Sequence, residues 1–592
     1  MRITTKVMQN NSLSNINTNK RLQDQLNTQM ATEKKINRPS EDPVVAIRAL
    51  RLRTNVSQIT QYYDKNSKDA ESWLSVTEDA LTTVSAVIED LIEQTTKGAN
   101  ENLTSADRNT ILNALKELRN EVYATGNADY AGRSIFTGYR TESSLKYKAD
   151  TVQKYSITEE ITSADIDTIT YVKTGKLNGI NDANFKEGAA AGIATIADGA
   201  DGAGNAGGTG GDATISGSTA TAGSKDYANI VERDVVATNI YRIRLAYSDV
   251  DGVDKTTITN DKNEVVREAI PTIKLYDPNH VNPDGTKGAY VEAKIDTDGD
   301  GVADSSINIQ TLSVNNNLSP YDVAASDANK NGAVLIKETG ELLIGEEVYK
   351  QLMKQEDNVN TAFDETSLLI TYEKSNWEKD DLRPEHYFKC EDLSDLTNTI
   401  TYNSNYINPG EVVEKQVIEY DIGMNQTIRV NTTADEVFVH AIGRDVDDMI
   451  AAMQEVVDME ETVARLESMV ADAKYGEEER KIINNQLEAA KKALTYLDEK
   501  AQKLFESSIS KMQGHLDTAN LATTNCGSRG MKLELIQNRL TSQKTNFENL
   551  ESENENVDVT EVAVKLTSAE LTYEAALMAT GKIMQTSLMN YI

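Results

Sequence analysis

Cysteine is nearly absent from this chain: Cys390 and Cys526 are the two in 592 residues, and they lie far apart. That excludes a disulfide framework and a cysteine-based zinc site. Histidine is scarce too, with His280, His386, His440 and His515 scattered and no H-E-x-x-H spacing. No run approaches the ~20 apolar residues of a membrane span. The opening residues, rich in Asn, Thr and Gln, lack the apolar centre of a secretory signal peptide. The chain is therefore expected either to stay in the cytoplasm or to leave by a route that reads no cleaved signal. Positive charge is also short: 60 Lys and Arg stand against 94 Asp and Glu, a net charge of −34. Nucleic acid and anionic membranes are thus poor candidates for the main partner, because phosphate binding needs basic side chains clustered on one face. An acidic surface suits a protein that must stay soluble before it assembles.

What the chain does have is helix. With 39% hydrophobic and 26% charged residues it is not disordered as a whole, and its length allows several domains. Leu52, Val56, Ile59, Tyr63, Asn66, Ala70, Trp73, Thr77, Ala80, Val84, Val87 and Leu91 follow 4-3 spacing, and Val45 and Ala49 extend it backward. Such a seam predicts a helix packed along a partner helix, with Asn66 as a polar residue fixing the register. Thr104 and Asp107 read as a helix cap, followed by a second seam at Ile111, Leu115, Leu118, Val122 and Thr125. The C-terminal quarter answers in kind. A helix is expected from about Asp445 to Ala473, ending at Gly476, and another from Glu477. After a weak point at "CGSRG" (526–530) come Leu533, Ile536, Leu540, Gln543, Phe547, Leu550 and Asn554, then Val562, Leu566, Ala569, Tyr573, Ala576, Thr580 and Ile583. A single seam is not stable alone in water, so the two ends should pack on each other.

Two prolines stand between these seams and the N-terminus, in "KKINRPSEDP" (34–43). Pro39 pushes Arg38 out of helical space, so a first helix must stop before it. Ser40 or Asp42 can then cap the next helix, with Pro43 tolerated in its first turn. Lys34, Lys35 and Arg38 are interleaved with acidic and polar residues and are read as local salt-bridge formers rather than an anion patch.

The middle of the chain differs. Runs such as "NIYRIRLAY", "AYVEAKI", "SINIQTL", "AVLI" and "ELLIG" alternate with Asp-Gly, Asn-Gly and Thr-Gly turn signals, which predicts β-rich structure. The fold class is thus α+β: a long antiparallel helical coiled-coil bundle formed by both chain ends, with one or two β-rich domains inserted. The divisions are 1–43, an N-terminal axial segment mobile in the monomer; 44–145, a helical bundle plus hairpin; 146–436, the β-rich insert with a mobile Gly/Ala-rich tract at 187–224; 437–556, a C-terminal helical bundle; and 557–592, a C-terminal axial helix.

Catalytic chemistry finds little support. Gly202 to Gly207 match the dinucleotide fingerprint in form, but a low-complexity tract produces such a match by composition alone. No Walker A pattern or G-x-S-x-G elbow occurs, and no catalytic or cofactor-binding residue is assigned. Two segments have calcium-like spacing. Asp296, Asp298, Asp300 and Asp304 alternate around Gly299 and Gly301, although Ile307 stands where an EF-hand closes with Glu. Asp327, Asn329, Asn331, Gly332 and Glu338 fit the EF-hand expression, but the flanks read as strands. The competing reading of both is a hairpin turn.

"KKINRPSEDPVVAIRALRLR" resembles the N-terminal signature of the flagellin-like axial proteins, through Arg38, Pro39, Ser40, Asp42 and Pro43. "GRSIFTGYRT" resembles that family's glycine-bracketed hairpin through Gly132, Arg133 and Gly138. "CGSRGMKLELIQNRL" resembles its C-terminal Gly-x-Arg-x-x-x-Leu-Glu segment through Gly527, Arg529, Leu533 and Glu534, and the end of the chain matches through Ser587, Leu588 and Tyr591. There are departures: Glu33 where the family often has glycine, Ser134 where an aromatic is common, and Ile592 in place of leucine. The resemblance implies a non-enzymatic structural part of the bacterial flagellum, exported without a cleaved signal. Within the family, Pro39, Pro43 and Tyr591 favour a member at the hook–filament junction over a filament flagellin. It also implies self-association in a ring, contact with a hook-associated junction protein and with flagellin, an export chaperone, and neither nucleic acid nor membrane insertion. An adhesin on a helical stalk and an enzyme hidden in the insert are the other classes considered.

Overall fold

The computed structural model describes all residues except 1–4, 101–102, 163–164, 188–226, 255–257, 260–264, 268–269, 283–286, 298–302, 304, 316–318, 355–367, 396–397, 408–415 and 590–592. The helices are α1 (Thr5–Thr32), α2 (Pro43–Thr60), α3 (Lys68–Gly98), α4 (Ser105–Thr125), α5 (Pro320–Ala324), α6 (Glu346–Lys354), α7 (His440–Ala471), α8 (Glu477–Glu555) and α9 (Val559–Met589). The strands lie between them, which makes the chain α+β with long terminal helices and a β-rich middle. The chain divides into two compact units. The first comprises Met1–Ser75, Ile418–Val430 and Cys526–Ile592; the second comprises Val76–Val417 and Asn431–Asn525.

Local chemistry accounts for the helix boundaries. Asp42, in extended conformation, accepts the backbone N–H groups of Val44 (3.0 Å) and Val45 (3.2 Å), and Pro43 opens α2. Thr104 and Asp107 form a reciprocal capping box at the start of α4. The junction of α7 and α8 differs from the expected glycine C-cap. Asp472 leaves α7 in extended conformation, its carboxylate accepting the Lys474 N–H at 2.9 Å. Gly476 instead serves the start of α8, donating its N–H to the Glu479 carboxylate at 3.1 Å. The "CGSRG" stretch is no break either. It lies inside α8, which runs for 79 residues. Two glycines in a helix interior cost about 1 kcal/mol each, and buried Cys526 and Leu533 on either side hold the segment in place.

Among the described residues of the second unit are two larger sheets besides several two-stranded pairs. A five-stranded sheet orders Asn308–Leu312, Gly332–Ile336, Glu341–Ile344, Val236–Arg244 and Ile166–Lys173, with only the first pairing parallel. A six-stranded antiparallel sheet orders Ile400–Tyr402, Lys389–Asp392, Thr151–Ile161, Leu368–Trp377, Thr272–Val281 and Lys287–Glu292. Gly332–Ile336 and Glu341–Ile344 are buried along their whole length, which explains why they read as continuous apolar runs. Alternate residues Arg242 and Arg244 share one face of their strand and reach acidic residues of α7. Asp448 binds Arg242 at 2.7 Å and Arg244 at 2.6 Å; Asp445 binds Arg244 at 2.5 Å, and Glu341 binds Arg242 at 2.6 Å. Burial alone would raise the Asp445 carboxyl, but His515, Arg244 and Lys511 hold it well below the usual range. This ion network pins the five-stranded sheet to the helix. The Gly/Ala-rich tract and Gly202 to Gly207 lie outside the described residues.

Candidate assembly surface

In the first unit the chain ends meet as antiparallel helix pairs. Contacts step backward along α8 as they step forward along α2 and α3. Asn554 donates to the Val45 carbonyl at 3.2 Å, Arg53 reaches Glu551 at 3.6 Å, Lys544 reaches Asp64 at 2.7 Å, and Gln537 reaches Glu71 at 2.9 Å. The stretch 33–43 is the joint of this arrangement. Lys35 donates its backbone N–H to the Glu555 carbonyl at 2.7 Å, and Val557 donates to the Glu33 carbonyl at 3.0 Å. The Glu555 carboxylate gathers Arg53 (2.5 Å) and Lys34 (3.3 Å), and the hydrogen bond from Arg53 is the main reason it sits below its ordinary pKa. Lys34 thus forms a salt bridge as expected, but with Glu555 from the far end of the chain rather than within its own stretch.

α1 leaves helical space through Glu33, whose φ of 57° is the left-handed conformation at which glycine is easiest. The departure noted in the sequence thus falls on the residue that bears that backbone turn. The hairpin after α4 pairs Asp129–Tyr130 with Arg133–Ser134. It does need its glycines: Gly132 and Gly138 have φ of 77° and 62°.

The seam residues divide by depth. Ile59, Trp73, Val84, Val87 and Leu91 are buried, as are Leu533, Ile536 and Leu540. Leu52, Val56, Tyr63 and Phe547 are half-buried, and Leu550 is exposed. A π-helical segment, Gln61–Ser67, lies in the middle of the first seam. Asn66 falls in it, and instead of bonding across helices it donates to the Asp421 carbonyl at 2.7 Å in the hairpin Glu419–Gly423/Gln426–Arg429. On α9, Val562 and Ala569 are buried while Leu566, Tyr573, Ala576 and Thr580 are half-buried, all on one face. Val562, Leu566 and Ala569 pack with Leu26 of α1.

Two features escaped the sequence reading. The covered face of α1 is Gln9, Ser12, Ile16, Asn19, Gln23, Leu26 and Gln29, a 3-4 repeat hidden because its members are mostly amides. The second is on α9, where Val564 (66% exposed), Leu571 (63%) and Met578 (66%) repeat every seven residues and form an uncovered apolar stripe. Of the signature residues, Arg38, Pro39 and Ser40 are exposed, Asp42 caps α2, and Gly527, Arg529, Leu533 and Glu534 lie on α8 with Leu533 buried. The side chains of Ile583, Ser587 and Leu588, and all of Tyr591, lie outside the described residues.

So do Asp298, Asp300 and Asp304. Asp296 makes paired backbone hydrogen bonds with the Gln351 amide, at 2.6 and 2.7 Å. In the other calcium candidate, Asp327 pairs with Lys330 at 2.9 Å while Glu338 accepts from Ser313 and Val314, so its two ends are engaged separately. Among the described residues no His, Cys, Asp and Glu cluster of three or more has metal-holding geometry, and no helix is long and apolar enough to cross a membrane.

Residues 3–141 match the bacterial flagellin N-terminal helical region. Over 143 residues, 24% of this chain and 45% of the relative, the chain is 31% identical to flagellar hook-associated protein 3 of Salmonella typhimurium. The protein of that name from Escherichia coli is 29% identical over the same extent. The matched part thus spans less than half of these relatives. A crystal structure of Xanthomonas campestris FlgL aligns over 83% of this chain and 99% of its own, at 10% identity and a TM-score of 0.22, too low to carry an argument. Residues 3–141 are therefore similar to the bacterial flagellin N-terminal helical region, and through that segment the chain resembles flagellar hook-associated protein 3.

Proposed function

We propose that this chain is a non-enzymatic structural subunit of the bacterial flagellum, exported without a cleaved signal and seated at the junction of hook and filament. The observation that carries the reading is the uncovered Val564–Leu571–Met578 stripe on a helix whose other face already packs on α1, together with the match over residues 3–141. A heptad stripe of apolar side chains facing water calls for another helix. In an axial assembly that helix comes from a neighbouring subunit. Copies of this chain would form a ring, with a second hook-associated protein on one side and flagellin on the other, after delivery by an export chaperone. The terminal segments 1–40 and 557–592 then gain most of their order on assembly. Calcium at Asp296, Asp298, Asp300 and Asp304 remains a separate proposal, tested by calorimetric titration of the full chain.

Deletion of the gene and electron microscopy of the cells test the reading. Hooks without filaments, with flagellin shed into the medium, are expected. Loss of the filament subunit itself would make the chain a flagellin, and intact filaments would remove it from the axis.

A further inference from the structure

Two helix faces in the first unit are left open, and they are opposite in charge. On α2 the inner residues Val45, Ala49, Leu52, Val56 and Ile59 are buried or half-buried, whereas Val44 (66% exposed), Ile47 (55%) and Leu50 (64%) face outward. Arg48 and Arg51 follow Val44 and Ile47 by four residues each, which makes them the neighbouring ridge of the same outer face. Both are exposed, and neither has an ion pair or hydrogen bond among the described residues. The charges around them are already committed. Lys34 and Arg53 are bound to Glu555, the Glu41 carboxylate accepts the Asn37 N–H at 2.9 Å, and the Asp42 carboxylate caps the helix. In a chain of net charge −34, this basic ridge runs against its background.

α9 carries the counterpart. Its open stripe of Val564, Leu571 and Met578 is bordered on one side by Glu570 and Glu574, one turn apart. Both glutamates are exposed and have no partner among the described residues, whereas Glu561 pairs with Lys565 at 2.7 Å. Within the subunit the two open faces do not meet, because α2 lies along α8 and α9 lies along α1. One face is apolar and basic, the other apolar and acidic. Charge beside an apolar ridge selects a partner that carries the opposite sign beside its own.

We propose that the open stripe of α9 in one copy docks on the outer face of α2 in the next, with Glu570 and Glu574 against Arg48 and Arg51. This rests on the reading of the chain as a self-associating subunit and names the surface that receives the stripe. The two patches differ, so the contact is heterologous. Each copy offers one of each, which builds a ring or a filament rather than a closed pair. Val564 to Met578 spans about 21 Å of helix. A stripe that short buries less than the ~1,200 Å² at the lower bound of stable interfaces. The contact therefore forms at high concentration or on an existing assembly, and the dilute chain is a monomer.

Sedimentation of the full chain at rising concentration and low ionic strength tests this. The parent should self-associate, and less so in about 0.5 M salt. Arg48→Glu with Arg51→Glu, or Glu570→Arg with Glu574→Arg, should each weaken association about tenfold or more, with unaltered circular dichroism. Mixing the two reversed proteins should restore it, because the acidic α2 of one then meets the basic α9 of the other. A misfolded variant would not be rescued in this way. A parent that stays monomeric, an α2 variant that associates like the parent, or a mixture no better than either variant alone overturns the proposal. The deletion strain answers separately: filaments lost there, with no rescue in the mixture, would leave the junction reading standing on another partner surface.

Discussion

α1 and α7 are helices of 28 and 32 residues, yet they are built in opposite ways. α7 buries Ile442, Val446, Met449, Met453, Val456, Met459, Leu466 and Met469, and its Asp445 and Asp448 are matched by Arg242 and Arg244. α1 fully buries Leu26 and otherwise covers itself mostly with amides, while Val7, Leu13 and Leu22 face outward. The first is a finished core helix. The second is half of an interface, ordered by whatever lies against it. The same contrast holds for α9, which buries Val562 and Ala569 and leaves Val564, Leu571 and Met578 open. On the proposed reading, α7 serves stability and the terminal helices serve association.

The sharpest way to break that contrast is to strike the finished side. Asp448→Ala removes the carboxylate shared by Arg242 and Arg244, both nearly buried. Leaving buried cations short of a partner costs about 3–5 kcal/mol. Denaturant unfolding of the full chain should show this loss, and a change below about 1 kcal/mol would mean the network behaves as a surface one.

Next in size is a pH effect at Glu159. Burial raises its carboxyl to about 7, against hydrogen bonds from Tyr372 and the Ala246 N–H that act the other way. The folded state then holds a proton that the unfolded chain has already released. Stability from this group is present below the ordinary carboxylate range and is lost as pH rises through about 7. Glu159→Gln keeps the acceptor without the charge. Relative to the parent it should gain on the order of 2 kcal/mol at pH 8 compared with pH 5, read from paired unfolding curves. Parallel curves would show that the group titrates normally.

Much of this was legible before the structure. Caps at Asp42 and Thr104 and the apolar seams follow from local chemistry and a fixed helical period, so they survive without tertiary knowledge. The strands between Val236 and Ile344 announced themselves by composition. Pairing did not: Thr151–Ile161 lies beside Leu368–Trp377 across some two hundred intervening residues, and nothing local selects that partner. The amide-rich face of α1 was missed because periodicity is counted on apolar residues. The π-helical turn at Gln61–Ser67 was missed because the 4-3 spacing runs through it unbroken.

A smaller effect is expected at the joint. Glu33 holds φ at 57°, which costs a residue with a Cβ about 1–2 kcal/mol. Glu33→Gly removes that strain but adds freedom to the unfolded chain, so a net gain of no more than about 1 kcal/mol is expected. Because α1 buries so little, the gain should appear as slower amide exchange in α1 rather than as a change in global unfolding. Faster exchange there would show that the Glu33 side chain matters more than its backbone.

The smallest expected change is the most telling. Leu571 is 63% exposed on the open stripe of α9, so Leu571→Asp removes nothing that the lone subunit buries. Substitutions at such positions usually stay within about 0.5 kcal/mol, and unfolding of the dilute protein should be unaltered. In an assembled shaft the same residue must meet a neighbouring helix, where an aspartate would be desolvated with no cation to match it. Sedimentation of concentrated protein should show self-association in the parent and none in the variant, and cells carrying the variant should lack filaments. If Leu571→Asp assembles normally while Leu566→Asp, on the covered face, does not, the terminal helices associate through the α1–α9 seam alone and the open stripe is incidental. If neither does, both stripes of α9 are interfaces, one within the subunit and one between subunits.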